Sequence, residues 1–243
     1  TEEINLSMNP EIPDDCDLLF LYAPTSDITD DEKTIIEKYL SDGGKVYLIL
    51  GDTTSDTPNL DGIMSDYGLK KVSGYIADTQ RCYQGNYYAI FPQLSLSGDL
   101  GSGISNQMVL LLNSPGMEKT DTDNDNLTVT PFMQTSDSGY AVTENDQTQG
   151  QYILGAVSTN AISSDSSDSD SEDEDDESDA TDTDTKTARL TVLASASMIS
   201  SDITDQLTTL DNLTLFVNSV TENFDNVNNV AIEAKSLSTE TNT

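Results

Sequence analysis

The 243-residue chain contains no histidine. That absence removes the imidazole that would activate a serine or cysteine nucleophile, and it removes histidine as a metal ligand. Bases are scarce too. Ten lysines and arginines face 44 aspartates and glutamates, a formal net charge of −34. Nucleic-acid phosphates and anionic membrane surfaces repel such a polyanion, so neither is expected as a partner. The two cysteines, Cys16 and Cys82, have a spacing that fits no zinc or redox motif; they would either pair outside the cell or stand as free thiols.

Long apolar runs are missing as well. No stretch reaches the 18 or so residues of a membrane span, and no signal peptide opens the chain. Both ends are polar and the first residue is Thr1, which reads as a soluble piece of a longer protein. There is also no GxxxxGK[ST] phosphate loop. No cofactor is expected.

What is present begins with DLLFLYAPTSDITDDEKTIIEKYLSDGGKVYLILG, residues 17–51. Leu18 to Tyr22 is an apolar run of the kind expected for a strand covered on both faces. Thr29 and Glu32 form a capping box, and Asp30 and Asp31 suit the positive end of a helix dipole. Ile35, Ile36, Tyr39 and Leu40 make one apolar stripe, Gly43-Gly44 ends the helix, and Val46 to Leu50 reads as a second buried strand. This is a right-handed βαβ crossover. Its first loop, Ala-Pro-Thr-Ser-Asp-Ile-Thr, has no glycine and lies near acids, so the crossover reads as structural rather than nucleotide-binding.

Further along, Pro58 opens a helix that Gly68 closes, and Lys70 to Ala77 reads as a third strand. Residues 79–106 look irregular. Strands are expected at Gln107–Leu112, Leu127–Met133 (with Pro131 hinting at an edge), Tyr152–Ser158 and Leu190–Ala194. Leu210 to Val220 carries the stripe of a last amphipathic helix. Between the last two strands, residues 163–184 hold 12 acids and no base, which leaves about −22 on the rest (−34 + 12). Such a composition has almost nothing to bury and reads as a disordered acidic insertion over 163–185. The expected fold is therefore α/β and doubly wound. It has a mostly parallel sheet and some antiparallel strands where helices no longer intervene. Residues 1–11 are a lead-in, 12–224 one domain, and 225–243 a polar linker.

Candidate sites are few. Asp121-x-Asp123-x-Asp125 opens like a calcium loop, but Asn126 replaces its glycine and Phe132 its bidentate glutamate. A solvated connection is the plainer reading. Cys82 lies in TQRCYQG, with Arg81 alone to activate it, and reads as an ordinary loop cysteine. No catalytic residue stands out, and no carboxylate pair for glycoside chemistry does either. Tyr83, Tyr87, Tyr88 and Phe91 form an aromatic group in a glycine-containing stretch, suited to a protein contact or a sugar platform, or simply to capping the sheet.

Several segments resemble one family. They are IPDDCDLLFLYAPTSDITDDEKTIIEKYLSDGGKVYLILGD, PNLDGIMSDYGL, TVTPFMQTSDSGY, LTVLASASMISSD…DNLTLFVNSVTENF and the closing AIEAKSLS. Together they are similar to the auxiliary domain of gliding-motility-type ABC transporters, over most of residues 12–237 outside the acidic tract. The resemblance implies a flavodoxin-like fold related to glutamine-amidotransferase-like domains. It also implies a bacterial, extracytoplasmic domain held by flanking spans beside a permease and ATPase. It makes residues 225–243 a juxtamembrane linker and supplies no catalytic residue or substrate. The expected function is a non-catalytic accessory module. The alternatives are a ligand-binding module, for carbohydrate as an example, a surface adhesin-like module, or a carboxylate-based hydrolase.

Overall fold

The computed structural model describes residues 1–51, 56–162 and 186–224. The acidic tract and the juxtamembrane linker expected from the sequence lie outside them. The chain reaches β1 (Leu19–Tyr22), crosses through α1 (Asp30–Ser41) and returns as β2 (Lys45–Ile49), parallel to β1 from Leu19↔Val46 to Tyr22↔Ile49. The start of α1 is set by the expected capping box. The Glu32 N–H donates to Thr29 Oγ1 at 3.2 Å, and the Thr29 N–H donates back to the Glu32 carboxylate at 2.9 Å. At the other end Gly43, at φ +92°, takes the left-handed conformation that a side chain resists. The buried Ile36 and Leu40 turn the helix onto the sheet.

Next come α2 (Pro58–Asp66), β3 (Leu69–Lys71) and β4 (Tyr75–Asp78). The start of α2 is held from the preceding crossover, because the Asp27 carboxylate accepts from the Asn59 and Leu60 N–H groups at 2.8 and 3.1 Å. The single strand expected over Lys70–Ala77 is in fact two, in different sheets. The break is Gly74, at φ +84°, where any Cβ would collide with the Val142 carbonyl oxygen.

The stretch 79–106 is less irregular than expected. It contains the hairpin β5 (Cys82–Tyr83) and β6 (Asn86–Ile90), then β7 (Gln93–Leu94) and a 3-10 turn at Gly98–Gly101. Of the strand expected at Gln107–Leu112, only β8 (Leu111–Leu112) pairs, with β6. There follow β9 (Met117–Lys119), β10 (Leu127–Gln134), β11 (Gly139–Val142), β12 (Gln147–Gly150), β13 (Ile153–Ile162), β14 (Lys186–Leu193), the short α3 (Ser201–Thr204) and α4 (Asn212–Thr221).

The main sheet runs β1-β2-β14-β13-β10-β7, with β9 paired to β13 and β3. Among the described residues only β1–β2 and β2–β14 pair in parallel; every other pairing in this sheet is antiparallel. The expectation of a mostly parallel sheet is therefore corrected to a mixed one. Parallel neighbours need a long crossover, and after β3 the chain supplies mainly short turns, which force antiparallel returns. Pro131 sits beside a β-bulge in β10, and β7 pairs only with Met133 and Gln134, so the proline lies where one edge of β10 is open.

Helices cover both faces of β2 and β14. The Tyr47 hydroxyl lies 2.6 Å from Ser219 Oγ of α4, and Tyr47, Thr191 and Asn223 mark that face. Alternation places Val46, Leu48, Leu190 and Val192 on the other face, toward α1; all four are buried. Ile4, Leu6 and Ile12 pack against the same core, so the lead-in is partly built into the fold.

Candidate functional site

β1 is the outermost strand of the main sheet, and the exposure of its side chains on one face overturns the reading of Leu18–Tyr22 as covered on both faces. Leu19 is buried, but Phe20 is 39% and Tyr22 56% exposed. Composition alone cannot separate an apolar edge strand from an apolar central one. Phe20 rests on Tyr47, ring centroids 5.0 Å apart and planes within 10°, and both rings meet Phe216 edge-on at 6.4 and 6.1 Å. Leu213 and Val217 of α4 are also exposed.

Along the same strand, on its α1 side and around its open edge, lies a cavity of about 1120 Å³, lined by Leu19, Leu21 and Ile36, by Phe20 and Phe224, and by residues 1–7. Its lining includes Glu2, Glu3, Asp15, Asp17 and Glu32, with no lysine or arginine side chain. Ser7 Oγ donates to Glu32 at 2.6 Å, and this bond, followed by the Thr29 N–H, holds the Glu32 carboxyl below its usual range. A second cavity, of about 860 Å³, opens at the start of β2 beside Tyr39, where Lys45 Nζ donates to the Asn223 carbonyl at 2.7 Å. Burial, and then a hydrogen bond to Cys16, push the Tyr39 phenol up to about 12.

The aromatic group expected to act together is divided by the hairpin β5–β6. The Gln84-Gly85 turn has both φ angles positive, +50° and +80°, matching the twist of the strands it joins. Tyr83 and Phe91 meet edge-on at 6.0 Å and pack on a small separate core of Ala89, Leu110 and Ile203. Arg81 braces the hairpin by donating to the Phe91 and Pro92 carbonyls at 2.7 and 3.1 Å. Tyr88 is half-buried; Tyr87 alone is well exposed, at 50%. Two of the four rings are thus structural. The stretch reads as a loop in sequence because Gln-Gly is a weak turn signal beside Asn-Gly.

Asp121, Asp123 and Asp125 are all exposed in the connection between β9 and β10. Among the described residues no three cysteine, aspartate or glutamate side chains come together as a metal site. Cys16 and Cys82 are both free and half-buried.

The buried polar residues brace the fold. Asp78 is fully buried and accepts from the N–H groups of Gln80, Arg81 and Ser136 and from the Ser136 hydroxyl, at 2.7–2.9 Å. Burial raises its pKa, but the hydrogen bonds together outweigh this and hold the carboxyl below its usual range. Asp211 accepts from Ser105, Asn106 and Met108, while Asn212 exchanges bonds with Leu110, fixing the head of α4 to the segment before β8. None of these was legible as a brace in the sequence, where each is one more acid or amide in a polar connection.

A short parallel core extended by antiparallel strands, with helices on both faces and an open apolar edge, defines a mixed α/β domain. The chain belongs to the family described as an ABC-type uncharacterized transport system, whose model matches residues 1–232. No curated protein matches it. Among solved structures, one described as "mmIFT52 N-terminal domain" is similar with a TM-score of 0.54 at 13% identity, across 87% of this chain and 79% of that one. That likeness concerns the fold alone. No helix among the described residues is long and apolar enough to cross a membrane.

Proposed function

We propose that this chain is a non-catalytic contact domain of an ABC-type transport complex of the gliding-motility type. In this reading it stands at the extracytoplasmic face of a bacterial membrane, beside the permease and ATPase subunits. The observation that carries it is the family match, which spans residues 1–232 and names a transport system. The flavodoxin-like part of the reading rests on the β1–α1–β2 crossover and its parallel neighbour β14.

The geometry favours contact over carboxylate chemistry. A general acid near neutral pH needs a raised pKa inside a cleft. Asp66 is pushed upward, by burial and then by Glu37, yet it lines neither cavity described above. Exposed aromatic and apolar side chains sit instead at the β1 edge, on α4 and at Tyr87. The test is purification of the full-length protein from its native membranes with crosslinking. Recovery of permease or ATPase subunits is the expected result, and their absence would sink the reading.

A further inference from the structure

In a parallel pair, the backbone groups of alternate residues point to one neighbour and those between point to the other. The Ala23 N–H donates to the Ile49 carbonyl, which sets the phase: Leu19, Leu21 and Ala23 face β2. The N–H and C=O of Phe20 and Tyr22 therefore point outward, and no partner for them occurs among the described residues. Natural edge strands are blunted by brevity, charge, proline or a bulge, and β1 has only the first, at four residues. LFLY carries no charge, proline or bulge, and an open cavity runs beside it.

We propose that β1 is a docking strand that takes an extended segment of a partner protein as one more strand of the sheet, with apolar and basic residues alternating along it. Each half of that pattern comes from one face of β1. An added strand turns alternate side chains to opposite faces. Those on the α4 side meet the exposed rings of Phe20 and Tyr22, which calls for apolar residues. Those on the α1 side enter the cavity, whose floor is apolar and whose lining carries five carboxylates and no basic side chain. Lysine or arginine fits that pocket, since the stem covers the floor while the charged head reaches the rim. The charge also selects against self-pairing: two copies at −34 each repel, whereas a basic segment is drawn in. The backbone bonds hold the segment, and the two faces set its register. The inference deepens the contact reading above and rests on it for the kind of partner.

The test uses a short synthetic peptide of alternating lysine and valine, followed by backbone amide exchange in the whole protein. Protection should appear at the Phe20 and Tyr22 amides. A peptide of the same sequence, N-methylated along one edge, keeps its charge but cannot pair, and should fail to bind. Tyr22→Pro deletes one outward N–H at a position an edge strand tolerates, and should weaken binding about tenfold, while Tyr22→Thr keeps the backbone and most of the affinity. Equal binding of the methylated peptide, or protection elsewhere, would show simple charge attraction and overturn the proposal. So would a dimer at raised salt that Tyr22→Pro dissolves, since that assigns the edge to a second copy. If transporter subunits co-purify equally well with the Tyr22→Pro protein, the docking strand fails while the contact reading stands. Peptide pairing at β1 without any co-purified subunit would uphold the docking strand and remove the contact reading.

Discussion

Phe20 lies flat on Tyr47, the one ring 39% exposed and the other sealed inside the sheet with its hydroxyl against Ser219. The pair ties the open edge to α4. Burial drives the Tyr47 phenol well above its ordinary pKa, so it stays neutral and donates to Ser219 Oγ, whose own proton goes to the Phe216 carbonyl. Phe20→Ala should cost about 1–2 kcal/mol, since it loses a stacked ring already half in water. Tyr47→Phe should cost about 1 kcal/mol for one buried hydrogen bond. Urea unfolding followed by circular dichroism measures both.

Asp78 makes stability depend on acid. Its folded pKa is depressed, so its contribution is present above the unfolded value of about 3.9 and is lost as pH falls through the lower folded value. Asp78→Asn keeps the shape but turns an amide N–H₂ toward groups that donate, which should cost about 2–3 kcal/mol at neutral pH. The variant should also lose less stability than the parent between neutral pH and pH 3. Urea midpoints at the two pH values give that difference, and a parallel shift of both proteins would contradict it.

The hairpin separates structure from surface. Tyr87→Ala should change stability by less than about 0.5 kcal/mol, whereas Tyr83→Ala and Phe91→Ala should each cost about 1–2 kcal/mol by emptying the small core. Gly85→Ala meets no atom within 4 Å, so its expected cost of about 1 kcal/mol comes from the +80° φ alone. Thermal melts of the four variants check this ordering.

Ile162 of β13 pairs with Lys186 of β14, so the 23 residues numbered 163–185 join two points that are already neighbours. A short glycine-serine link can make the same connection. Reducing the loop to about four residues should raise stability by about 1.5 kcal/mol through closure entropy. Loss of cooperative unfolding in that variant would show that the acidic segment contributes to the folded state.

Much of this architecture can be read from local chemistry. Thr29 with Glu32 announces α1, and the apolar runs around Val46, Ile153 and Leu190 announce three strands of the main sheet. The order of those strands is not local. Nothing in Leu18–Tyr22 tells an edge from a centre, because that depends on β14 arriving beside β2 rather than beside β1. The contact candidates fared similarly. Tyr83, Tyr87, Tyr88 and Phe91 are visible as a group, but which of them face water depends on Ile203, more than a hundred positions away.

That late arrival of β14 sets a timetable for synthesis. The inner edge of β2 stays bare until residues 186–193 emerge, long after β1, α1 and β2 have left the ribosome. Contacts between such distant positions form slowly, and an unpaired apolar strand is a hazard while it waits. A nascent chain stopped short of β14 would expose both sides of the β1–β2 pair at once. Residues 1–185 already carry most of the chain's net charge of −34, and that repulsion keeps incomplete molecules apart until the last quarter arrives to close the gap.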